Sequence, residues 1–173
     1  MNIFVLDENP IRAAQAMDCV RVPKMIVETA QMMASALRRH GVTDERMPLT
    51  KSGTPYKGAY KYHPCTVWAG DSWKNFDWLT SHGIALCVEY RHRFGKEHAC
   101  EDAICYMNAM HVDGFSHLNR DRLTPFAQAM PDEYKDDDAV KAYRAYYHSK
   151  IHSKGGVHYR HTSPPDWWTG VTA

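Results

Sequence analysis

The sequence predicts a mainly α, compact single-domain fold with a short extended segment at the N-terminus. Its 173 residues with 44% hydrophobic content suit one domain with a sizeable core. Apolar residues cover a wide face of a helix predicted from Arg21 to His40. No linker or repeat marks a second domain, so we expect one domain over residues 1–173, with a basic, aromatic tail from about residue 155.

The elements follow in order from local signals. Residues 2–6 form a short apolar run, which indicates a strand or an extended lead-in. Asn9 and Pro10 are a helix start, because asparagine caps and proline fits the first turn. Further helices are predicted after His63-Pro64-Cys65, from about Trp73 to Ser81, from Ile84 to Phe94, from Ala99 to Met110 and from Asp138 to His152. Residues 42–63 and 112–125 are predicted to be irregular.

Composition excludes several classes of protein. The five cysteines are an odd number without a CxxC pair, which argues against a secreted disulfide scaffold. No apolar run approaches the ~18 residues that span a membrane, and Asp7 and Glu8 interrupt the apolar start, so we expect no signal peptide and a cytoplasmic location. The sequence has no phosphate-binding glycine loop and no dinucleotide fingerprint, so no cofactor is expected.

The charge is uneven although the net charge is only +1. Residues 139–165 contain no acid but five lysines and arginines, four histidines and four tyrosines. Such a stretch suits phosphate contact with base stacking, or a solvated helix followed by a tail that packs its tryptophans on the body. His148 and His152 have a spacing suited to zinc, but no acid lies between them as in the zinc-protease pattern. Cys100 and Cys105 have no partner at a standard spacing, so no metal is expected.

Arg21, Lys24 and Glu28 are the first candidate site. Spacings of three, four and seven place them on one face of a helix. Glutamate serves as a general acid or base, lysine as an amine nucleophile and arginine as a phosphate anchor. The alternative is a surface ion pair, but Glu28 lies between the apolar runs 25–27 and 32–33, which favours partial burial.

Two further groups of residues are candidates. His63, before Pro64 and Cys65, is placed to line a cleft, and a Cys–His nucleophile pair or a structural corner are both open. Arg91, Arg93 and Lys96 stand at the end of a helix, where they oppose its dipole or contact phosphate.

The motifs MNIFVLD, KMIVETAQMM, YHPCTVWAGDSWKNFDWL, LCVEYRHRFGKEH and FAQAMPDEYK resemble those of a widespread group of small bacteriophage proteins, over nearly the whole chain. More remotely, the layout resembles the phage pyrimidine-dimer DNA glycosylases of the endonuclease V type. That resemblance implies a compact helical DNA repair enzyme whose first helix carries a catalytic glutamate, here Glu28. It also implies a histidine seven residues earlier, where Arg21 stands, and an arginine just before the glutamate, where Val27 stands.

In that family the nucleophile is the α-amine of residue 2 after removal of the initiator methionine, and the corresponding position here is Asn2. Asparagine is larger than the residues that normally permit this removal, and if Met1 stays, the amine shifts by one residue. We therefore expect a phage DNA-processing enzyme, glycosylase-like, acting on a damaged or modified base in the infected host cell. Its catalytic residues are predicted to be Glu28, Asn2, Lys24 and Arg21, and its DNA-binding residues Lys57, Lys61, His63, Arg91, Arg93 and Lys96. The alternative is a non-catalytic module on the same scaffold that binds nucleic acid or a host factor.

Overall fold

The computed structural model describes residues 1–110 and 122–170, which form six α-helices joined by loops and short 3-10 turns. The helices are α1 Pro10–Gln15, α2 Arg21–Arg39, α3 Pro64–Asp71, α4 Trp73–Phe94, α5 Glu101–Asn108 and α6 Ala139–His148. The 3-10 turns are Asp44–Arg46, Asp132–Tyr134 and Ser149–His152. These described residues contain no β-strand, only one antiparallel bridge between Leu49 and Pro55. The prediction of a mainly α fold is confirmed.

Polar side chains fix where four of the helices begin. In each case a side-chain atom of the residue before the helix accepts hydrogen bonds from backbone N–H groups that have no partner within the helix. The capping residues are Asn9 for α1, His63 for α3, Ser72 for α4 and Asp138 for α6. The asparagine and proline signals therefore placed the start of α1 correctly.

Helix α4 replaces the two helices predicted from Trp73 to Ser81 and from Ile84 to Phe94, so the predicted break is wrong. Gly83 lies inside α4 and serves packing instead. A Cβ atom at this position would stand 2.5 Å from Cγ2 of Thr29 in α2. The missing side chain lets α2 and α4 approach each other closely, and helical geometry continues through the glycine.

Helices α2 and α4 are the centre of the fold. Helix α2 packs on α3, α4 and α5, while α4 also packs on α1. The fully buried side chains of these two helices include Ile26, Met33, Leu37, Phe76 and Leu86. Burial of a wide apolar face on α2 agrees with its hydrophobic pattern.

Both ends of the chain join this core. Residues 2–6 are irregular and not a strand, and their side chains are buried; Phe4 has a φ of +35°. Near the other end, Val157 and Trp168 are buried, and the Tyr159 hydroxyl donates to the Ala16 carbonyl at 2.9 Å. The tail from about residue 155 is therefore packed on the body where it is described. Most of the irregular segment predicted at residues 112–125 lies outside the described residues.

Within the described ranges, no helix combines the length and the apolar character that crossing a membrane requires.

Candidate active site

A cleft of about 450 Å³ lies between the start of α2 and the segment that follows α6. The first turns of α2 and the N-terminus form one wall, and the end of α6 with the following residues forms the other. The lining includes Met1, Asn2, Phe4, Arg21, Lys24, Glu28, Tyr146, Lys150, Ser153 and Lys154. The three residues predicted to share one face of α2 thus all reach the same cleft.

Glu28 is the acid of this cleft. The residue is only 9% exposed, and its Oε2 atom has no hydrogen-bond partner among the described residues. Two cations compensate the buried charge: the Met1 amine lies 3.6 Å from Oε2, and Lys24 Nζ lies 3.6 Å from Oε1. A buried carboxylate oxygen without a hydrogen-bond partner is uncommon in folded proteins, which makes Glu28 the candidate acid of the cleft. The expected partial burial of Glu28 is confirmed.

The amine nearest to Glu28 belongs to Met1 and not to Asn2. The Asn2 side chain is buried and anchors the N-terminal segment: Nδ2 donates to the Ala129 carbonyl at 2.9 Å, and Oδ1 accepts from the amides of Ile3 and Phe4. While Met1 is present, the Asn2 nitrogen is a peptide amide, which is no nucleophile. The structure therefore gives Asn2 a positioning role and places the Met1 amine against the acid.

Arg21 is held by the protein itself. Its Nη1 atom lies 2.7 Å from Asp18 Oδ2 and donates to the Gly156 carbonyl at 2.9 Å, while Nη2 donates to the Lys150 carbonyl and to Ser153 Oγ. The guanidinium is buried, and its carbon lies 5.5 Å from the centre of the Tyr147 ring. The predicted role of Arg21 as a phosphate anchor is wrong in this structure, because its Nη atoms are already bonded to protein oxygens.

The accessible cations of the cleft are lysines. Lys24 has 70% of its side chain exposed. Lys150 and Lys154 stand on the opposite wall, and Lys150 Nζ lies 3.5 Å from the centre of the Tyr146 ring. Tyr146 in turn stacks on Phe4 at 6.0 Å. The cleft therefore combines a buried acid and amine with accessible positive charges and an aromatic wall, an arrangement suited to a phosphodiester substrate.

His63 lies near the Met1 amine and Glu28, but it acts as a helix cap. Its Nδ1 atom accepts from the Cys65 amide at 3.2 Å. Burial lowers the pKa of His63; the nearby Met1 amine lowers it further, whereas Glu28 opposes this. Burial raises the pKa of Cys65 to about 12, and its sulfur lies 3.9 Å from the Tyr143 hydroxyl. Cys65 therefore stays a protonated core thiol, and the alternative of a Cys–His nucleophile pair is wrong.

The comparison with known proteins agrees with this geometry. A family model described as pyrimidine dimer DNA glycosylase matches residues 1–102, which is more than half of the chain. The chain belongs to the pyrimidine dimer DNA glycosylase family. No curated protein and no solved structure is significantly similar to it.

The matched region of this glycosylase-family chain contains Met1, Lys24 and Glu28, but the other wall of the cleft lies outside it. Tyr146, Lys150 and Lys154 come from the acid-free stretch of residues 139–165. Sequence reasoning noticed that stretch but did not place it at the site. The charge and the tyrosines of residues 139–165 marked this stretch as a candidate for binding. The sequence contains no indication that the stretch folds back beside α2.

The predicted DNA-binding residues fall into two groups. Lys57, Lys61 and His63 lie on the loop that leads into α3, where both lysines are exposed. Arg91, Arg93 and Lys96 lie at or just beyond the end of α4. Lys96 is exposed, and Arg91 is half-exposed with Nη2 2.8 Å from Glu101 Oε1.

The prediction that Arg93 binds DNA is wrong. Arg93 is 2% exposed, and its guanidinium is bonded to Glu89 and to the backbone carbonyls of Met17 and Gln15. It therefore joins the end of α4 to the turn between α1 and α2.

The described residues contain no cluster of three or more histidine, cysteine, aspartate or glutamate side chains that could hold a metal ion. His148, which has a spacing from His152 suited to zinc, stacks on Trp168 at 4.7 Å.

Proposed function

We propose that this protein is a DNA glycosylase that removes a damaged or modified base, with the Met1 amine as nucleophile and Glu28 as acid and base. The observation that carries the proposal is the 3.6 Å approach of that amine to an otherwise unpartnered, buried carboxylate oxygen in an open cleft. Membership of the pyrimidine dimer DNA glycosylase family supports the same reading.

The chemistry begins when the Met1 ammonium group has lost one proton to water, because only the neutral amine has a lone pair. Its lone pair attacks C1′ of the deoxyribose, the bond from C1′ to the base breaks, and the base leaves with that electron pair and takes up a proton. Glu28 accepts a proton from the attacking nitrogen and returns one to the ring oxygen as the sugar opens to an imine. The carboxylate can then remove a proton from C2′, which expels the 3′ phosphate and cuts the strand.

Lysines supply the affinity for DNA in this proposal. Lys24, Lys150 and Lys154 border the cleft, and Lys57 and Lys61 lie on the adjoining loop. Lysine ammonium groups bind phosphates without reading the base sequence. Because such binding releases counterions from the DNA, the affinity should fall steeply as the salt concentration rises. A DNA-acting protein with the phage-like motifs described above would work in the cytoplasm of an infected host cell.

The Glu28→Gln variant tests the chemistry. We expect base release from damaged duplexes to fall by about 10²- to 10⁴-fold, because an amide cannot accept a proton. Affinity for the same DNA should stay equal or increase, because a negative charge leaves the cleft. Base release is followed by chromatography and affinity by fluorescence anisotropy. Glu133→Gln, at an exposed carboxylate, is the matched control and should behave as the unmodified protein. Full turnover in Glu28→Gln excludes the proposed role.

A second candidate is a non-catalytic DNA-binding or host-factor-binding protein on the same scaffold. It is favoured by one observation: Arg21 and Val27 stand where the family resemblance implies a histidine and an arginine, and Arg21 is held in structural contacts. This candidate predicts that no substrate loses a base. Salt-dependent DNA binding without base release supports the DNA-binding form, whereas absence of DNA binding supports a protein partner.

A further inference from the structure

The loop before α3 presents two tyrosines to solvent in an unusual way. Tyr60 is 70% exposed and Tyr62 is 82% exposed, although large aromatic side chains are usually half-buried or more. Lys61 stands between them, and its Nζ atom lies 4.8 Å from the centre of the Tyr62 ring. The Tyr62 ring and the Lys61 ammonium group therefore form an exposed, cationic aromatic surface, and the exposed Tyr60 ring lies two residues away in the chain. We call residues 60–63 the tyrosine turn.

The backbone of the tyrosine turn is held firmly. The His63 amide donates to the Tyr60 carbonyl at 2.8 Å, and Tyr60 has a φ of +50°, a left-handed conformation that is costly for a bulky residue. At one end, Ser35 Oγ donates to the Ala59 carbonyl and accepts from the Ala59 amide, both at 3.0 Å. At the other end, the His63 ring caps α3. The protein thus maintains a strained turn whose side chains contribute little to the core.

The tyrosine turn is anchored on α2, the helix that carries Glu28. Ser35 and Glu28 are seven residues apart on α2, which is two turns on one face or roughly 10 Å. Ser35 anchors one end of the turn, while His63 at the other end is within electrostatic reach of Met1 and Glu28. The turn is therefore anchored on the helix that carries Glu28, and its His63 end is near the proposed reacting groups.

We propose that Tyr60 and Tyr62 form a stacking platform for a nucleobase that leaves the DNA helix beside the cleft. The occupant is argued from the chemistry of the surface. Aromatic rings stack on any base, and Lys57 and Lys61 on the same loop provide the positive charge that the flanking phosphates need. The hydrogen-bonded backbone of the turn limits the positions that the two rings can occupy, which lowers the entropy lost when a base stacks on them. The platform rests on the proposed function and adds to it the residues that hold the displaced base.

The test compares two duplexes of equal length, one intact and one with a tetrahydrofuran abasic analogue. The base opposite the analogue is unpaired and costs least to unstack. We expect the unmodified protein to prefer the abasic duplex, and the Tyr60→Ala/Tyr62→Ala double variant to lose about 10-fold or more of that preference. Its affinity for the intact duplex and its dependence on salt should stay unchanged, because no charge has been removed. Tyr62→Trp should keep the preference.

Tyr106→Ala is the matched control, since Tyr106 is a half-exposed tyrosine on α5, and its abasic preference should equal that of the unmodified protein. If the double variant, folded by circular dichroism, keeps the full preference, the platform is wrong. If the unmodified protein releases bases but has no abasic preference, only the platform fails. If it neither releases bases nor distinguishes the duplexes, both proposals fail.

Discussion

At the scale of single residues, His82 is a deeply buried titratable side chain that the cleft does not use. It lies in α4 and is 1% exposed, and its ring stacks on Trp78 at 5.1 Å. Neither ring nitrogen has a hydrogen-bond partner within the described residues. Burial lowers the pKa of His82 from 6.5 to about 3, so the ring is neutral in the folded protein.

His82 therefore makes the protein sensitive to acid. Below about pH 6.5 the unfolded chain binds a proton at this histidine and the folded chain does not, so stability falls as pH decreases towards 3. His82 contributes up to about 1.4 kcal/mol of lost stability per pH unit in this window. We expect the His82→Leu variant to lose this part of the slope when the free energy of unfolding is measured in urea between pH 7 and 4.5.

His152→Leu is the control for this measurement, because His152 is exposed at the end of the last 3-10 turn. Its slope should equal that of the unmodified protein. An unchanged slope in His82→Leu would show that the buried ring takes up its proton without unfolding.

Other residues show how far a sequence can identify a site. The periodicity of a helix was enough to place Arg21, Lys24 and Glu28 on one face, and the apolar neighbours of Glu28 indicated its burial. Their roles could not be predicted in the same way. Arg21 is committed to contacts with Gly156, Lys150 and Ser153, all more than 120 residues away in the chain, and no local pattern records such a partner.

At the scale of elements, Arg21 belongs to a clasp that fixes the segment after α6 to the start of α2. The clasp consists of Arg21, Asp18, Tyr147 and Ser153. The fully buried Asp18 carboxylate accepts from Arg21 and from the Tyr147 hydroxyl, and the Asp18 amide donates to that hydroxyl at 2.8 Å. Burial raises the pKa of Tyr147, and the Asp18 carboxylate raises it further, so the phenol keeps the proton that it donates.

Removing the arginine from the clasp should destabilise the fold strongly. In Arg21→Ala the buried Asp18 charge loses its cation, which typically costs about 3–5 kcal/mol. Thermal and urea unfolding measure this loss. Lys135→Ala, which breaks the exposed pair with Asp132, is the control and should change little. If Arg21→Ala is as stable as the control, the guanidinium does not hold the clasp together in solution.

The elements themselves were predicted unevenly. Asn9 and Pro10 defined the start of α1, because these signals act within a few residues. The wide apolar face of α2 predicted that helix. Helix α4 was divided by the prediction, because the stretch around Gly83 lacks a clear helical signal. Gly83 has no side chain because Thr29 of α2 occupies the space where a Cβ atom would lie. Sequence spacing alone does not reveal this contact between two helices.

At the scale of the whole molecule, the cleft unites three distant parts of the chain: the N-terminus, the start of α2 and the segment after α6. The glycosylase-family match covers the first two of these parts and ends at residue 102. The end of α6 contributes the aromatic surface of Tyr146, and the residues after α6 contribute the positive charges of Lys150 and Lys154. We propose that this arrangement makes the Met1 amine a nucleophile.

The most direct measurement is trapping with borohydride, which reduces an imine between the protein and an opened sugar to a stable amine. The protein is incubated with duplexes carrying pyrimidine dimers, abasic sites or modified bases, and the adduct is located by intact mass and peptide mapping. We expect one adduct, on the α-amine of a chain that retains Met1. We expect no adduct after that amine is blocked by acetylation. An adduct on Asn2 after loss of Met1, or on Lys24, or base release without any adduct, would contradict this proposal.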